Sequence, residues 1–340
     1  MTSRFPWTSE WGIDLGSANT VICSAAGEIV VNEPSVVAIN QRWKTVESVG
    51  AEAHRAVERN PAAIEPTYPV RRGVVTDPVL AEQLLRSFLK RINRTVLPAG
   101  MNVALAIPYG ITDVERFAAV ECVRRAGASR VALVDQILAA AHGAGISLGE
   151  PRGSMVIDVG ADLVEAAVFS LGEIVVSRAE PVAGNAMDHA IREHVRKNHR
   201  LLIGLKTAEE VKRVIGSATV NGHSASSLKV TGRCLLRGLP RSVWLCAGEV
   251  REAIAPVISA IIRVVRSTLE AVPAELSADL IETGAVLTGG MAFLHGLADC
   301  LSFEMQIPVS VCASPTTSVA AGLSKLIRAE RVWQAARNLA

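Results

Sequence analysis

Short apolar runs, punctuated by Asp and Gly, alternate along this chain with longer segments whose apolar residues recur every three or four positions. The first pattern predicts strands and the second amphipathic helices. "NVALAIP" (102–108), "RVALVD" (130–135) and "GAVLTGG" (284–290) read as strands. "EVREAIAPVISAIIRVVRSTLEAV" (249–272) carries a long apolar face and reads as a core helix. Strands alternating with helices indicate an α/β fold.

One strand pattern occurs twice. "GIDLGSANTVICSAAGEIVV" (12–31) and "VIDVGADLVEAAVFSLGEIVV" (156–176) both run apolar–Ile–Asp–apolar–Gly, then a short apolar strand, then Gly-Glu-Ile-Val-Val. Each copy predicts a hairpin: a strand ending near Asp14 or Asp158, a turn at the Gly, a returning strand, and a second turn at Gly27 or Gly172. A single repeat at this distance implies two domains of like fold rather than a solenoid. Backbone N–H groups in such turns cradle phosphate, and paired aspartates hold a hydrated Mg²⁺ through water. A lone Asp-x-Gly is an ordinary turn. Two inside a longer repeat are a stronger signal.

Composition narrows the rest. The 340 residues are 49% hydrophobic and 20% charged, so the chain is globular and long enough for two domains. A formal charge of +2, with no basic run, gives no case for nucleic acid. The six cysteines contain no CxxC pair and fit reduced, mostly core thiols. His189, His194 and His199 step five residues at a time, which turns them around a helix and predicts surface positions, not a metal site. The N-terminal "MTSRFPWTSEW" lacks an apolar h-region and no run of 18 apolar residues follows, which argues against secretion and membrane spanning. A mean hydropathy of +0.31 hints at surface buried against copies of the chain or against a membrane.

With these residues in view, the chain resembles the bacterial actin homologues of the MreB/Mbl family, within the superfamily of actin, sugar kinases and heat-shock-chaperone ATPases. The matching stretches include "GIDLGSANT", "IVVNEPSVVAI", "GITDVERFAAVECVRRAGAS", "AAAHGAG", "LLIGLKTAEEVK", "GLPRSV", "GEVREAI" and "VLTGG", in order over about residues 11–325. The resemblance implies an actin-like fold: duplicated RNase-H-like lobes around a nucleotide cleft holding ATP and Mg²⁺. Lobe I would span 1–145, with an inserted small subdomain at about 33–72 and 315–340 returning to it. Lobe II would span 146–314, with an inserted small subdomain at about 182–245. It further implies homopolymer filaments, other MreB-type proteins as partners, and a cytoplasmic, peripheral position at the inner face of the membrane, where the filament scaffolds cell-wall synthesis and sets cell shape.

Carried over position by position, the first phosphate loop is intact: Asp14, Gly16, Ser17, Ala18 and Asn19 stand where the family has Asp-x-Gly-Thr-Ala-Asn. Asp158 and Gly160 hold the matching places in the second loop, with Asp14 and Asp158 as the Mg²⁺ carboxylates. Glu209 and Lys212 match positions flanking the adenosine, Gly289 and Gly290 match adenosine-side glycines, and Gly184 and Asp188 fit the motif read here as "AGNAMD". Glu210 has a local reading as well, because Thr207-Ala-Glu-Glu210 is a capping-box pattern.

The departures cluster. The second loop, Asp-Ile-Gly-Gly-Gly-Thr-Thr-Glu in the family, is Asp158-Val-Gly-Ala-Asp-Leu-Val-Glu165 here. A Cβ at a left-handed position costs roughly 1–2 kcal/mol. A carboxylate of Asp162 aimed at phosphate would repel each unit charge by up to about 4 kcal/mol at 4 Å. Gln136 replaces the Glu that positions the attacking water; Gln orients water but is no carboxylate base, and actin carries Gln at the matching place. Met291 replaces a third Gly, and Asn185-Ala186 an Asp-Glu pair. These changes imply relaxed or altered nucleotide use, with ATP bound but hydrolysis weak or lost, as catalytic roles for Gln136 and Asp158 depend on the second loop.

Phe5 and Trp7, together with Val96 and Leu97 in "RTVLPAGM" (94–101), are candidates for interfacial membrane docking; Trp11 reads equally as the start of the first strand. Two rival readings follow from the departures and the fold: a non-hydrolysing module that copolymerises with or regulates a true MreB, and a chaperone-like or sugar-kinase-like ATPase. The chain ends too soon after the last motif for a chaperone's substrate domain, and no base for sugar phosphorylation stands out.

Overall fold

The repeated segment folds into the same three-stranded meander in both places. The computed structural model describes residues 9–92, 100–220, 226–329 and 332–333. The chain divides into two compact units, unit 1 being 1–147 with 316–340, and unit 2 being 148–315.

Unit 1 opens with the first copy: β1 (Ser9–Leu15), β2 (Asn19–Ser24) and β3 (Ile29–Pro34), paired antiparallel in succession. A small sheet follows, ordered β5-β4-β6, from β4 (Val37–Asn40), β5 (Thr45–Val49) and β6 (Ile64–Thr67), with α1 (Ala51–Arg59) between the last two. Val36, Ala38 and Ala53 give it a buried cluster of its own. After the short ribbon of β7 (Val70–Arg71) and β8 (Val74–Val75) come α2 (Pro78–Ile92), β9 (Met101–Ile107), α3 (Asp113–Ala126), β10 (Arg130–Asp135) and α4 (Gln136–Gly143). β9 and β10 join β1 in parallel, giving the order β10-β9-β1-β2-β3. Leu84, Leu85 and Phe88 of α2 share one core with Ile13, Val103 and Leu105. Trp11 lies in β1, partly buried against that core. The capping box Thr112/Glu115 starts α3, each residue bonding the other's backbone N–H.

Unit 2 repeats the plan with β11 (Ser154–Val159), β12 (Val164–Ser170) and β13 (Glu173–Glu180). Then come α5 (Gly184–His199), β14 (Leu201–Leu202), α6 (Leu205–Ile215), β15 (Ser227–Cys234), β16 (Pro240–Cys246), α7 (Ala247–Glu270), α8 (Ala274–Thr283), β17 (Ala285–Thr288), a 3-10 turn at Gly290–Phe293, α9 (Leu297–Met305) and β18 (Val309–Val311). β17 and β18 join β11 in parallel, so the order β13-β12-β11-β17-β18 mirrors that of unit 1 strand for strand. β14, β15 and β16 form a separate small sheet. The long apolar face read in 249–272 is the buried stripe Val250, Ile254, Ile258, Ile261 and Val265 of α7, the helix-period spacing of a core-facing helix.

The chain then returns to unit 1 as α10 (Ser318–Leu326), which packs on α4 with the two backbones in direct approach at Gly143 and Gly322. Among the described residues no helix is long and apolar enough to cross a membrane. Phe5, Trp7, Val96 and Leu97 lie outside the described residues.

Candidate functional site

In unit 1 the chemistry collects at the carboxyl ends of the parallel strands, where α/β sheets bind ligands. Asp14 pairs across to Ala106 on β9, and Ala106 pairs to Val134 on β10, so Asp14 stands two strands, about 10 Å, from the start of α4. Gln136 is the first residue of that helix. Between β1 and β2 the chain turns tightly, with the Gly16 N–H donating to the Asn19 carbonyl at 3.1 Å. Ala18 and Asn19 are exposed at the tip. The loop is braced from outside: the Ser17 hydroxyl accepts from the Gly73 N–H at 3.2 Å, and the Ser35 N–H donates to the Ala18 carbonyl at 2.8 Å. Burial raises the Asp135 carboxyl just before Gln136, opposed by the positive charge of Arg116.

Unit 2 builds the second turn on the same bond. The Gly160 N–H donates to the Leu163 carbonyl at 2.9 Å, and Asp158 pairs with Glu165 as Asp14 pairs with Val21. Two expectations fail here. Neither Ala161 nor Asp162 has a positive φ, so the lost glycines carry no left-handed penalty. Nor is the Asp162 carboxylate aimed freely into the loop, because its Oδ1 accepts from the Asn185 side-chain amide at 2.7 Å. The backbone adds two more bonds, from the Gly184 N–H to the Gly160 carbonyl at 3.3 Å and from the Asn185 N–H to the Ala161 carbonyl at 2.7 Å. The start of α5 thus holds the turn. The departures at 162 and 185, which look independent in the sequence, are partners.

Asp158 is buried and pairs across to Thr288 on β17, which brings Gly289 and Gly290 to the end of the same sheet. The Gly289 N–H and the Thr288 hydroxyl both donate to the Pro315 carbonyl at 3.0 Å. Met291 turns back over α5: a side chain at Gly184 would meet its Sδ at 2.8 Å. Lys212 is buried, its ammonium 2.8 Å and 2.9 Å from the two carboxylate oxygens of Asp188 and 2.9 Å from the Gly184 carbonyl. Burial pushes the Asp188 carboxyl up to about 6, against the pull of Lys212. Lys212 therefore fixes α6 to α5 first, whatever it offers a ligand. Glu209 is exposed on the same helix, one turn from Lys212. The Thr207 capping box does not form, because α6 is capped at Gly204 and Thr207 already lies inside its first turn, three residues too late.

The MreB/Mbl protein family profile matches residues 8–334. The chain belongs to the MreB/Mbl family. The cell shape-determining protein MreB of Escherichia coli (strain K12) is 40% identical over 329 residues, covering 95% of this chain and 94% of that protein. The cell shape-determining protein Mbl of Bacillus cereus is 37% identical over 311 residues, covering 92% and 93%. MreB5 of Spiroplasma citri, solved bound to AMPPNP, matches with a TM-score of 0.90 at 30% identity over 98% of this chain and 99% of that one. The MamK double helical filament matches with a TM-score of 0.80 at 18% identity, which bears on the fold alone. The fold is actin-like, each unit carrying one copy of the repeated sheet.

Within this MreB/Mbl chain the Asp162–Asn185 pair makes a return to the family residue harmful. Asn185→Asp is expected to lower the melting midpoint, since two carboxylates would face each other across the 2.7 Å now spanned by a hydrogen bond. Their raw repulsion is about 6 kcal/mol at an effective dielectric of 20. Water and side-chain rotation at this half-buried site cut it to roughly 1–2 kcal/mol. Adding Asp162→Asn should restore the native midpoint. Thermal unfolding of the single and double variants checks this, and an Asn185→Asp single variant as stable as the native chain would show that the pair does not hold the loop.

Proposed function

We propose that this cell-shape family member binds ATP–Mg²⁺, turns it over slowly, and polymerises into filaments docked at the inner face of the membrane, where they scaffold cell-wall synthesis. One observation carries the nucleotide reading: two turns, one per unit, with the same Asp-x-Gly start, the same backbone bond across the turn, and the same place at the end of a parallel strand. Both turns keep their shape without strain at non-glycine residues, which supports reading them as a phosphate cradle. Gly16, Ser17, Ala18 and Asn19 on unit 1 and Gly160 on unit 2 would hold the phosphates. Asp14 and Asp158 would hold Mg²⁺ through water, and Gly184, Glu209, Lys212, Gly289 and Gly290 would border the adenosine. The ion, when bound, offsets the negative charge of the phosphates.

The slow turnover is read from the cluster of departures around the second loop, since Gln136, which would orient a water but take no proton from it, stands where actin also carries Gln. MreB5 of Spiroplasma citri has been solved with AMPPNP and with ADP, which supports a nucleotide in the family's fold. Phe5, Trp7, Val96 and Leu97 are the residues assigned to the membrane interface. The replaced second loop, Ala161-Asp162-Leu163-Val164 where the family has Gly-Gly-Thr-Thr, favours a second reading, in which the chain hydrolyses nothing and copolymerises with another MreB-type protein.

Calorimetry of the full chain with ATP–Mg²⁺ tests the proposal, together with electron microscopy and sedimentation with anionic vesicles. Saturable binding that Asp14→Ala weakens at least tenfold, with filaments that co-sediment with vesicles, is the expected result. No binding and no filaments would overturn it, and hydrolysis at an ordinary actin-like rate would remove the slow-turnover part and the second reading together.

A further inference from the structure

The three histidines of α5 do not scatter as their spacing predicts. His189 contacts Arg192 on its own helix, but His194 and His199 both reach Glu249, the third residue of α7. Glu249 Oε1 lies 2.8 Å from His199 Nε2 and 3.9 Å from His194 Nε2. The three ligand atoms lie within 4.8 Å of one another. A five-residue step turns about 140° around a helix, so neither ring lies above the other. They converge because His199 is the last residue of α5 and the carboxylate of α7 stands at that end of the helix.

We propose that His194, His199 and Glu249 form a binding site for one divalent transition-metal ion of the zinc class, joining the C-terminal end of α5 to the N-terminal end of α7. Two imidazoles and a carboxylate are a ligand set for zinc, with water in the fourth position, whereas Mg²⁺ and Ca²⁺ take oxygen sets. Ligand atoms 2.0–2.1 Å from a tetrahedral ion lie about 3.3 Å apart. The observed 2.8 Å and 3.9 Å to the carboxylate bracket that spacing, and the two imidazoles, within 4.8 Å of each other, have to close by at most about 1.5 Å.

The carboxylate is oriented in advance. Its other oxygen, Oε2, accepts from the Cys246 N–H at 3.0 Å in the capping box of α7, which turns Oε1 toward the rings. Partial burial opposes ionisation of Glu249, but the Cys246 N–H and His199 outweigh it and hold the carboxyl below its ordinary range. The side chains are 13%, 21% and 30% exposed for His194, His199 and Glu249, shielded yet reachable by an ion. Around them, the Asn198 amide lies 3.1 Å from His194 Nε2 and Arg241 donates to the His199 carbonyl. Binding exchanges the Asn198 contact and the His199–Glu249 hydrogen bond for coordination.

The test uses the reduced, chelator-washed full chain without nucleotide, so its outcome is independent of the ATP reading. Titration with Zn²⁺ should show one equivalent bound. The Co²⁺ form should show d–d bands without the intense thiolate charge-transfer absorption of cysteine ligation. His194→Ala and His199→Ala should each weaken binding at least tenfold, and His189→Ala should leave it unchanged. Glu249→Gln, which keeps an acceptor for the helix cap, should weaken it as well and separates the ligand from the fold. At Zn²⁺ a hundredfold above its Kd, the melting midpoint should rise by about 5 °C or more, and not in the histidine variants. Absence of saturable binding, binding untouched by these substitutions, or a thiolate spectrum would each overturn the proposal, leaving the trio as a hydrogen-bonded brace.

Discussion

Gly322→Ala is expected to destabilise unit 1 by more than about 3 kcal/mol, a large share of the roughly 5–15 kcal/mol that keeps a domain folded. The added Cβ would stand 1.7 Å from the Ala139 carbonyl oxygen, roughly half the distance two such atoms tolerate. The obstacle is helical backbone, which cannot rotate aside as a side chain can. α4 and α10 would have to separate, and the approach is reciprocal, since a Cβ at Gly143 would meet the Ser318 carbonyl oxygen at 1.7 Å. Separation would uncover Ala139, Ala140, Ala320 and Leu323, all fully buried. Urea unfolding and soluble yield measure the effect. A variant within 1 kcal/mol of the native chain would show that the two helices are free to part.

Gly289→Ala should damage fold and site together. Gly289 sits at φ 85 and ψ 167, a region populated essentially by glycine alone. A Cβ there would lie 2.3 Å from the Val159 carbonyl oxygen and 2.6 Å from Asp158 Oδ1. Backbone strain and the clash together amount to about 3 kcal/mol or more. Because the displaced groups belong to β11 and to Asp158 itself, ATP–Mg²⁺ affinity should fall at least tenfold even at temperatures where the variant remains folded. Unfolding curves and calorimetry on the same preparation separate the two effects. Gly290→Ala is the comparison for stability, since a Cβ there meets nothing within 4 Å and should leave the unfolding curve unchanged. Equal tolerance at both positions would remove Gly289 from the site.

Much of this was legible in the sequence because hairpins and parallel strands are local or strongly patterned. The repeat at 12–31 and 156–176 predicted two meanders, and they share strand order, turn bond and even a register shift, between Ile22 and Cys23 in one and between Val168 and Phe169 in the other. Asp14 and Asp158 could be read as strand-end carboxylates for the same reason. What could not be read was pairing across distance. Asp162 looked like a misplaced charge until Asn185, 23 positions away, supplied its donor. Lys212 read as a position flanking the adenosine, and its buried pairing with Asp188 on another helix was not visible. Thr207 showed a capping pattern, but tertiary packing began the helix three residues earlier. The histidines failed for a related reason, since helical spacing describes one helix and their common partner sits on a second.

The return of the chain as α10 also orders events during synthesis. Unit 2 is continuous in sequence, and its sheet can close as soon as β18 has left the ribosome. Unit 1 is begun first and finished last, because the helix that covers Ala139, Ala140 and Gly143 is encoded beyond residue 316. For the time needed to translate 148–315, the nascent first half exposes the small-residue face of α4 to solvent and to chaperones. The earliest segment made is thus among the last to be secured, and a ribosome stalled between the two units leaves an incomplete protein with one apolar face open.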